Sequence, residues 1–278
     1  MNAALPPGLD PAAVRAVATD MDRTILPSSL ELSPATVRAI ARVRRAGIEA
    51  IIATGRMFAS TRPYAHQLGI TAPVICYQGA LIVDPVTGEW LQHRPIDVPV
   101  ALEVIAAVRR EGFHMNVYVD DQLCVEKPTP EARTYAEHAR LEMVVVGNFD
   151  TWLHRPTTKI VIVGEPGPLD DLEQRLRSRF DDRLFIAKSL PIFLEVASPG
   201  VSKGAALRFV CERLGIDPAA TIAFGDGAND LELLEAAGLG VAVADAEPAL
   251  LRIADWTVPP VGQDGVAGFL DRLVDSRA

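Results

Sequence analysis

Short apolar segments alternate with helical segments near the start of this chain, and this alternation limits the fold more than any other feature. Residues 14–21, 48–53 and 73–77 are apolar and short enough to be strands. A helix is predicted between the first two, because Ser33 is a good capping residue and Gly47 suits a helix end. Strands that are apolar along nearly their whole length are typical of a parallel sheet covered on both faces. The alternation therefore predicts an α/β fold with helices on both faces of a parallel sheet.

The pattern changes after the third predicted strand. Residues 85–189 contain strands with more alternation of polar and apolar residues, and helices with more polar surfaces. We expect the parallel pattern to resume near Phe193 and to continue to the end of the chain. The sequence thus predicts a core domain of residues 1–84 and 190–278, with residues 85–189 inserted into it as an α+β domain.

Composition excludes several classes of function. The chain has 278 residues and a formal net charge of −9, which disfavours nucleic acid and anionic lipid as partners. Its three cysteines are widely spaced, so they predict neither a metal site nor a disulfide framework, and they fit a reducing compartment. The first residues lack the basic start and apolar run of a signal peptide, and no apolar run is long enough to span a bilayer. We therefore expect a cytoplasmic protein, and the sequence leaves its oligomeric state open.

Polar residues follow several of the predicted strands at the point where each strand ends. The carboxyl ends of parallel strands meet at one edge of the sheet, which is where ligands bind in such folds. Lys203, at the start of a predicted helix, can join the same edge. We expect one cleft to contain Asp20, Asp22, Thr54, Gly55, Arg56, Lys203, Asp226 and Asp230.

These residue types meet the needs of phosphoryl transfer. The negative charge on the phosphoryl oxygens must be neutralised, and Lys203 and the Thr54 hydroxyl can bind these oxygens. Asp20 and Asp226 can hold Mg²⁺, which prefers oxygen ligands. A carboxylate such as Asp20 can attack phosphorus to give an aspartyl-phosphate, and a second acid such as Asp22 can exchange protons with the leaving group and with water.

Four motifs in this chain resemble those of the haloacid dehalogenase superfamily. Asp20-Met21-Asp22-Arg23-Thr24 resembles the first motif, Thr54 the second, Lys203 the third, and residues 225–230 (Gly-Asp-Gly-Ala-Asn-Asp) the fourth. Their surroundings are most similar to the Cof-type branch, subfamily IIB. This resemblance implies a Rossmann-like core, an inserted cap domain that selects the substrate, and an Mg²⁺-dependent phosphatase acting on a small phosphorylated metabolite such as a sugar phosphate.

The resemblance also implies a role for each acid of the motifs. Asp20 corresponds to the nucleophile and to a metal ligand. Asp22 corresponds to the general acid and base, with its backbone carbonyl on the metal. Asp226 corresponds to a direct metal ligand, and Asp230 to the acid that orients metal-bound water.

A second group of motif residues corresponds to the substrate-binding positions of the family. Thr54 and Lys203 resemble the phosphate-binding pair, and Gly55 lies beside them. Asn229 matches a position that steadies the lysine or the phosphate. For Arg56, the sequence leaves two roles open, a structural ion pair and a contact with the ligand.

Two positions depart from the usual pattern of the family. Arg23 stands where a glycine is usual, and Gln78 stands where an asparagine is usual. Arg23 is either a solvated loop residue or a contact for an anionic substrate. Neither departure removes a group that the chemistry needs.

Three alternatives to a phosphatase follow from the same motifs. A sugar phosphomutase shares the core and cap, but needs a second phosphate site. A phospho-acceptor protein also uses acids, a threonine, a lysine and Mg²⁺, although such proteins are much shorter. A metabolite-binding protein without catalysis is disfavoured because all four motifs are present.

Overall fold

The computed structural model describes residues 5–277, apart from the side chain of His138. Residues 1–4 and residue 278, which were assigned to the predicted core domain, lie outside the described residues. The described strands are β1 (Ala16–Thr19), β2 (Glu49–Ile52), β3 (Val74–Cys76), β4 (Leu81–Val83), β5 (Trp90–His93), β6 (His114–Val119), β7 (Gln122–Val125), β8 (Met143–Val145), β9 (Lys159–Val163), β10 (Phe185–Leu190), β11 (Phe193–Ala197), β12 (Thr221–Gly225), β13 (Leu239–Val243) and β14 (Trp256–Val258). The described α-helices are α1 (Pro34–Arg45), α2 (Phe58–Leu68), α3 (Val98–Arg110), α4 (Pro130–Ala139), α5 (Phe149–Trp152), α6 (Pro166–Phe180), α7 (Lys203–Leu214), α8 (Leu231–Ala236), α9 (Pro248–Ile253) and α10 (Gly265–Asp275).

A five-stranded parallel sheet is the centre of one part of the chain. Its strand order is β14-β13-β12-β1-β2. Strand β1 lies between β12 and β2 and places Ala18 opposite Ala223 of β12 and Ile51 of β2. Every residue of β1 is buried, which requires that both faces of the sheet are covered. The predicted α/β class is confirmed.

The predicted helix signals are also present in this part of the chain. The Ser33 hydroxyl accepts the backbone N–H of Thr36 at 3.0 Å, and Pro34 is the first helical residue of α1. Gly47 has a φ of +76° just beyond the helix, in the left-handed region that glycine adopts at little cost. Helix α1, bounded by this cap and this turn, connects the parallel strands β1 and β2.

The third predicted strand, β3, belongs to the parallel sheet less fully than expected. It lies beside the end of β2 through a single parallel bridge between Ala53 and Ile75. Its main partner is β4, with which it runs antiparallel, and β5 completes this small sheet. Between β3 and β4 the backbone turns sharply, with positive φ angles at Tyr77 and Gln78.

The described residues form two compact units. Residues 5–92 and 202–277 form one, named here the core unit, and residues 93–201 form the other, the inserted unit. The domain boundaries predicted from the sequence, at 84/85 and 189/190, lie earlier in the chain and stay predictions.

The inserted unit is built on a mixed six-stranded sheet. Its strand order is β10-β11-β9-β6-β7-β8. A buried apolar cluster joins this sheet to α3 and α6, with Val104, Leu172 and Ile162 among its members. The unit therefore has its own hydrophobic core.

The prediction that the parallel pattern resumes near Phe193 is wrong. Strand β11 runs antiparallel to both of its neighbours, with Glu195 opposite Val161 of β9 and Ala187 of β10. Four of its five residues are buried because it lies in the interior of the sheet. An apolar run alone does not distinguish such a strand from a strand of a parallel core.

Among the described residues, no helix is long and apolar enough to cross a membrane. The cytoplasmic location predicted from the sequence stays a prediction.

Candidate active site

The loops after two neighbouring strands of the core unit bring the predicted acids together. Asp20 follows β1, and Asp226 follows β12, the strand next to it. Asp230 lies one turn beyond Asp226. One carboxylate oxygen from each of these three buried residues lies within 4.8 Å of the others. The sheet edge named by the sequence is therefore where the acids meet.

Lys203 is buried among these carboxylates. Its Nζ donates to Asp20 Oδ1 at 2.5 Å and to Asp230 Oδ1 at 2.6 Å. Burial alone would lower the pKa of Lys203, but the two carboxylates raise it above its ordinary value. Lys203 is therefore a fixed positive charge beside Asp20. It is the first residue of α7, where a lysine is disfavoured unless anions are close.

Asp230 uses both carboxylate oxygens within the protein. While Oδ1 accepts from Lys203, Oδ2 accepts the backbone N–H groups of Asp226 at 3.0 Å and of Gly227 at 3.1 Å. The carboxylate also lies against Gly225, where a Cβ atom would come within 2.5 Å of Asp230 Cβ. Asp230 thus fixes the loop that presents Asp226.

The crowded acids make the site favourable for a cation. The pKa of Asp20 is raised well above its ordinary value, first by burial and also by the charges of Asp230 and Asp226, against the opposing effect of Lys203. Burial and the Asp230 carboxylate raise the pKa of Asp226 to about 6, while the charge of Arg23 lowers it. Hard carboxylate oxygens in this number fit Mg²⁺, because its two charges offset the repulsion that raises these pKa values.

Asp22 lies further out and is paired with Arg56. Its two carboxylate oxygens accept from Arg56 Nε at 2.7 Å and from Arg56 Nη2 at 2.5 Å. Burial lowers the pKa of Arg56, but the hydrogen bond and charge of Asp22 outweigh that effect and raise it. Of the two alternatives for Arg56, the structure shows an ion pair, and its partner is the predicted general acid.

The second motif, around Thr54, Gly55 and Arg56, contributes to the same site. The buried Thr54 hydroxyl accepts the backbone N–H of Arg56 at 3.2 Å, so its own proton is available to another acceptor. Gln78 packs on Gly55 so closely that a Cβ atom there would lie 2.5 Å from Gln78 Nε2. Gln78 Oε1 accepts from Asn229 Nδ2 at 3.2 Å. Asn229 therefore contacts Gln78. Gln78 is a residue of the site that the sequence did not predict, although it stands where the family usually has an asparagine.

Arg23 also belongs to the site. Its Nε lies 3.3 Å from Asp226 Oδ2, and its Nη2 donates to the backbone oxygen of Asp245 at 3.4 Å. A purely solvated loop residue would make no such contacts.

The charged side chains range from buried to exposed. Lys203 and Asp230 are fully buried, and Asp20 is nearly so. The side chain of Asp226 is 10% exposed and that of Arg56 18%, whereas Asp22 is 47% and Arg23 57% exposed. Asp22 and Arg23 therefore form the exposed rim of the site, and Lys203, Asp20 and Asp230 form its buried floor.

Comparisons with known proteins agree with this arrangement. Residues 17–270 match the haloacid dehalogenase-like hydrolase family. The chain is 30% identical to the pyridoxal phosphate phosphatase of Escherichia coli, over 92% of this chain and 97% of that protein. It is 28% identical to the 5-amino-6-(5-phospho-D-ribitylamino)uracil phosphatase of Bacillus subtilis, over 91% and 95%. The crystal structure of a haloacid dehalogenase-like hydrolase from Bacteroides thetaiotaomicron superposes with a TM-score of 0.87 at 26% identity, covering 94% of this chain and 99% of the other.

Proposed function

This chain belongs to the haloacid dehalogenase-like hydrolase family, and on that premise we propose that it is an Mg²⁺-dependent phosphatase with Asp20 as its nucleophile. The observation that carries the proposal is the placement of Asp20. Its buried carboxylate lies at the edge of the parallel sheet, against Lys203 and beside Asp226 and Asp230. A nucleophilic carboxylate needs such fixed cationic surroundings in order to approach a negatively charged phosphate.

Asp20 and Asp226, with the backbone carbonyl of Asp22, would hold the metal ion. Asp230 would support them from behind, since its oxygens already accept hydrogen bonds from Lys203 and from the loop. When bound, Mg²⁺ would offset the charge of the phosphoryl oxygens and of the acids around it.

The side chains of the site supply the remaining steps. Lys203 and the Thr54 hydroxyl bind phosphoryl oxygens, while a carboxylate oxygen of Asp20 forms a bond to phosphorus and the bond to the leaving oxygen breaks. Protonated Asp22 gives its proton to that leaving oxygen. Asp22 then takes a proton from the water that attacks the aspartyl-phosphate, which releases phosphate and restores Asp20.

Arg56 fixes the position of Asp22. Its paired hydrogen bonds hold both oxygens of the carboxylate. For the first step the pair must loosen, so that Asp22 can carry a proton to the leaving group.

We infer a small phosphorylated metabolite as the substrate. The two relatives act, by name, on pyridoxal phosphate and on a phosphorylated ribitylaminouracil, and both are small phosphate monoesters. The inserted unit is the part that we expect to select among such esters, as the resemblance to Cof-type proteins implies.

The experiment is hydrolysis of 4-nitrophenyl phosphate by the purified chain, with EDTA and after Mg²⁺ is restored. We expect activity only with the metal. Asp226→Asn should raise the Mg²⁺ concentration needed for half-maximal rate by about tenfold or more, because metal affinity depends on the number of charged ligands. Asp271→Asn removes a surface carboxylate that pairs with Arg42 and should leave that requirement unchanged. Hydrolysis at full rate in EDTA would contradict the proposal.

A further inference from the structure

Arg23 is the most loosely held cation of the site. Lys203 donates to two carboxylates at 2.5 and 2.6 Å, and Arg56 donates twice to Asp22 at 2.5 and 2.7 Å. Among the described residues, the Arg23 side chain makes one ion pair, at 3.3 Å, and one hydrogen bond to a backbone oxygen, at 3.4 Å. The contacts of the Arg23 guanidinium are thus longer than those of the other two cations of the site.

The backbone holds Arg23 in a conformation that favours glycine. Its φ is +61°, in the left-handed region, which is less favourable for a residue with a Cβ atom than for glycine. The turn is fixed on both sides, because Arg23 N donates to Leu26 O and Leu26 N donates to Met21 O, both at 2.8 Å. A glycine would avoid the cost, so the arginine side chain has to be explained by what it contacts.

The charges of the site favour a role for Arg23 as an anion contact. The acids Asp20, Asp22, Asp226 and Asp230 outnumber the cations Lys203, Arg56 and Arg23. The Glu247 carboxylate lies close by, where it accepts the backbone N–H of Ala228. Without Arg23 the excess of negative charge would be larger, and a further anionic group on the substrate would be repelled more strongly.

We propose that Arg23 binds a second anionic group of the substrate, a carboxylate or a second phosphate, and so selects phosphate monoesters that carry one. The guanidinium is planar and presents paired donors that match either group. Its side chain is the most exposed charged group of the site, so it meets the part of a substrate that extends outward from the phosphate. This inference rests on the proposed phosphatase function, and it names the substrate class of that site.

Two probes that differ in a single group test the proposal. Glycerol 3-phosphate and 3-phosphoglycerate differ by a hydroxymethyl group in place of a carboxylate. The inhibition constant of each is measured against hydrolysis of 4-nitrophenyl phosphate with saturating Mg²⁺. In the parent protein we expect 3-phosphoglycerate to bind more tightly than glycerol 3-phosphate.

Variants of Arg23 should change this preference. Arg23→Gln should reduce the ratio of the two inhibition constants by roughly tenfold, the effect of one hydrogen-bonded charge pair at a partly exposed site. Arg23→Lys should keep part of the preference. Arg45→Gln is the matched control, since Arg45 is an exposed residue at the carboxyl end of α1, and it should leave the ratio unchanged.

Two results would overturn the proposal: no preference in the parent protein, or the parent ratio in Arg23→Gln. If the parent protein hydrolyses no ester at all, the proposed function fails instead. The same ratio is then read from dissociation constants measured by calorimetry in the presence of Mg²⁺.

Discussion

Lys203 connects the chemistry of the site to the stability of the fold. It is a fully buried lysine whose ammonium group is compensated by Asp20 and Asp230. Breaking a buried ion pair from one side leaves an uncompensated charge, which costs far more than the pair itself contributes. The residue that would bind the substrate phosphate is therefore also one that the native state needs.

Lys203→Met is expected to lower the free energy of unfolding by about 3–5 kcal/mol near neutral pH. The loss should shrink as the pH falls. The pKa of Asp20 is already raised above its ordinary value of 3.8, and without Lys203 it would rise further. A raised carboxyl pKa means that the native state binds the proton more tightly than the unfolded state, so stability increases as the pH falls through that window.

Urea unfolding of Lys203→Met at pH 5 and pH 7.5 measures this effect. Lys127→Met serves as the control, because Lys127 is exposed in the inserted unit. An equal loss of stability at both pH values would show that the cost arises from packing and not from the two acids.

At the scale of elements, the position of α7 against α8 sets the position of Lys203. Gly204 is the second residue of α7 and touches the backbone of α8, where a Cβ atom would lie 2.1 Å from Glu232 O. The Ser202 hydroxyl caps the same helix at Ala205 N and donates to the Glu232 carboxylate. Close approach of the two helices requires a glycine at this position.

Gly204→Ala should therefore destabilise the chain by about 2 kcal/mol or more, because α7 must move away from α8. It should also slow hydrolysis of 4-nitrophenyl phosphate, since Lys203 moves with the helix. Gly262→Ala is a matched control in the turn before α10, where nothing lies within 4 Å of an added Cβ atom. That change should leave the stability of the chain unchanged or raise it by up to about 1 kcal/mol. Equal effects of the two substitutions in thermal unfolding would contradict this account of the α7–α8 contact.

The elements also show what the sequence can and cannot predict. The order of strands and helices around the parallel sheet followed from apolar runs and caps, because those signals are local. The antiparallel pairing of β11 could not be predicted, because an apolar strand has the same sequence pattern in a parallel core and inside an antiparallel sheet. Short β8, half-exposed at the sheet edge, gave no periodic signal at all.

At the scale of the whole molecule, the acids of the site and Lys203 come from distant parts of the chain and meet at one sheet edge. The sequence predicted this meeting because parallel strands share a carboxyl edge. It did not predict the contacts between side chains, such as Gln78 with Asn229 or Arg23 with Asp226. Those depend on loop conformations with positive φ at Arg23 and Gln78, which no local pattern specifies.

The whole chain also has a charge that its site must overcome. A net charge of −9 repels phosphate esters at long range, although salt screens this repulsion beyond about 10 Å. The attraction has to be local, from Lys203, from the arginines and from a bound metal ion. We propose that this local charge allows Asp20 to attack phosphorus.

Trapping of the covalent intermediate tests whether Asp20 is the nucleophile. The enzyme is mixed with 4-nitrophenyl phosphate and Mg²⁺, quenched in acid, reduced with borohydride and digested for mass spectrometry. Reduction of an aspartyl-phosphate converts that side chain to an alcohol, so we expect the conversion at Asp20 and at no other acid. Asp20→Asn should show neither the conversion nor hydrolysis. Release of phosphate by the parent protein with Asp20 unmodified, or conversion of a different carboxylate, would contradict the assignment of Asp20 as the nucleophile.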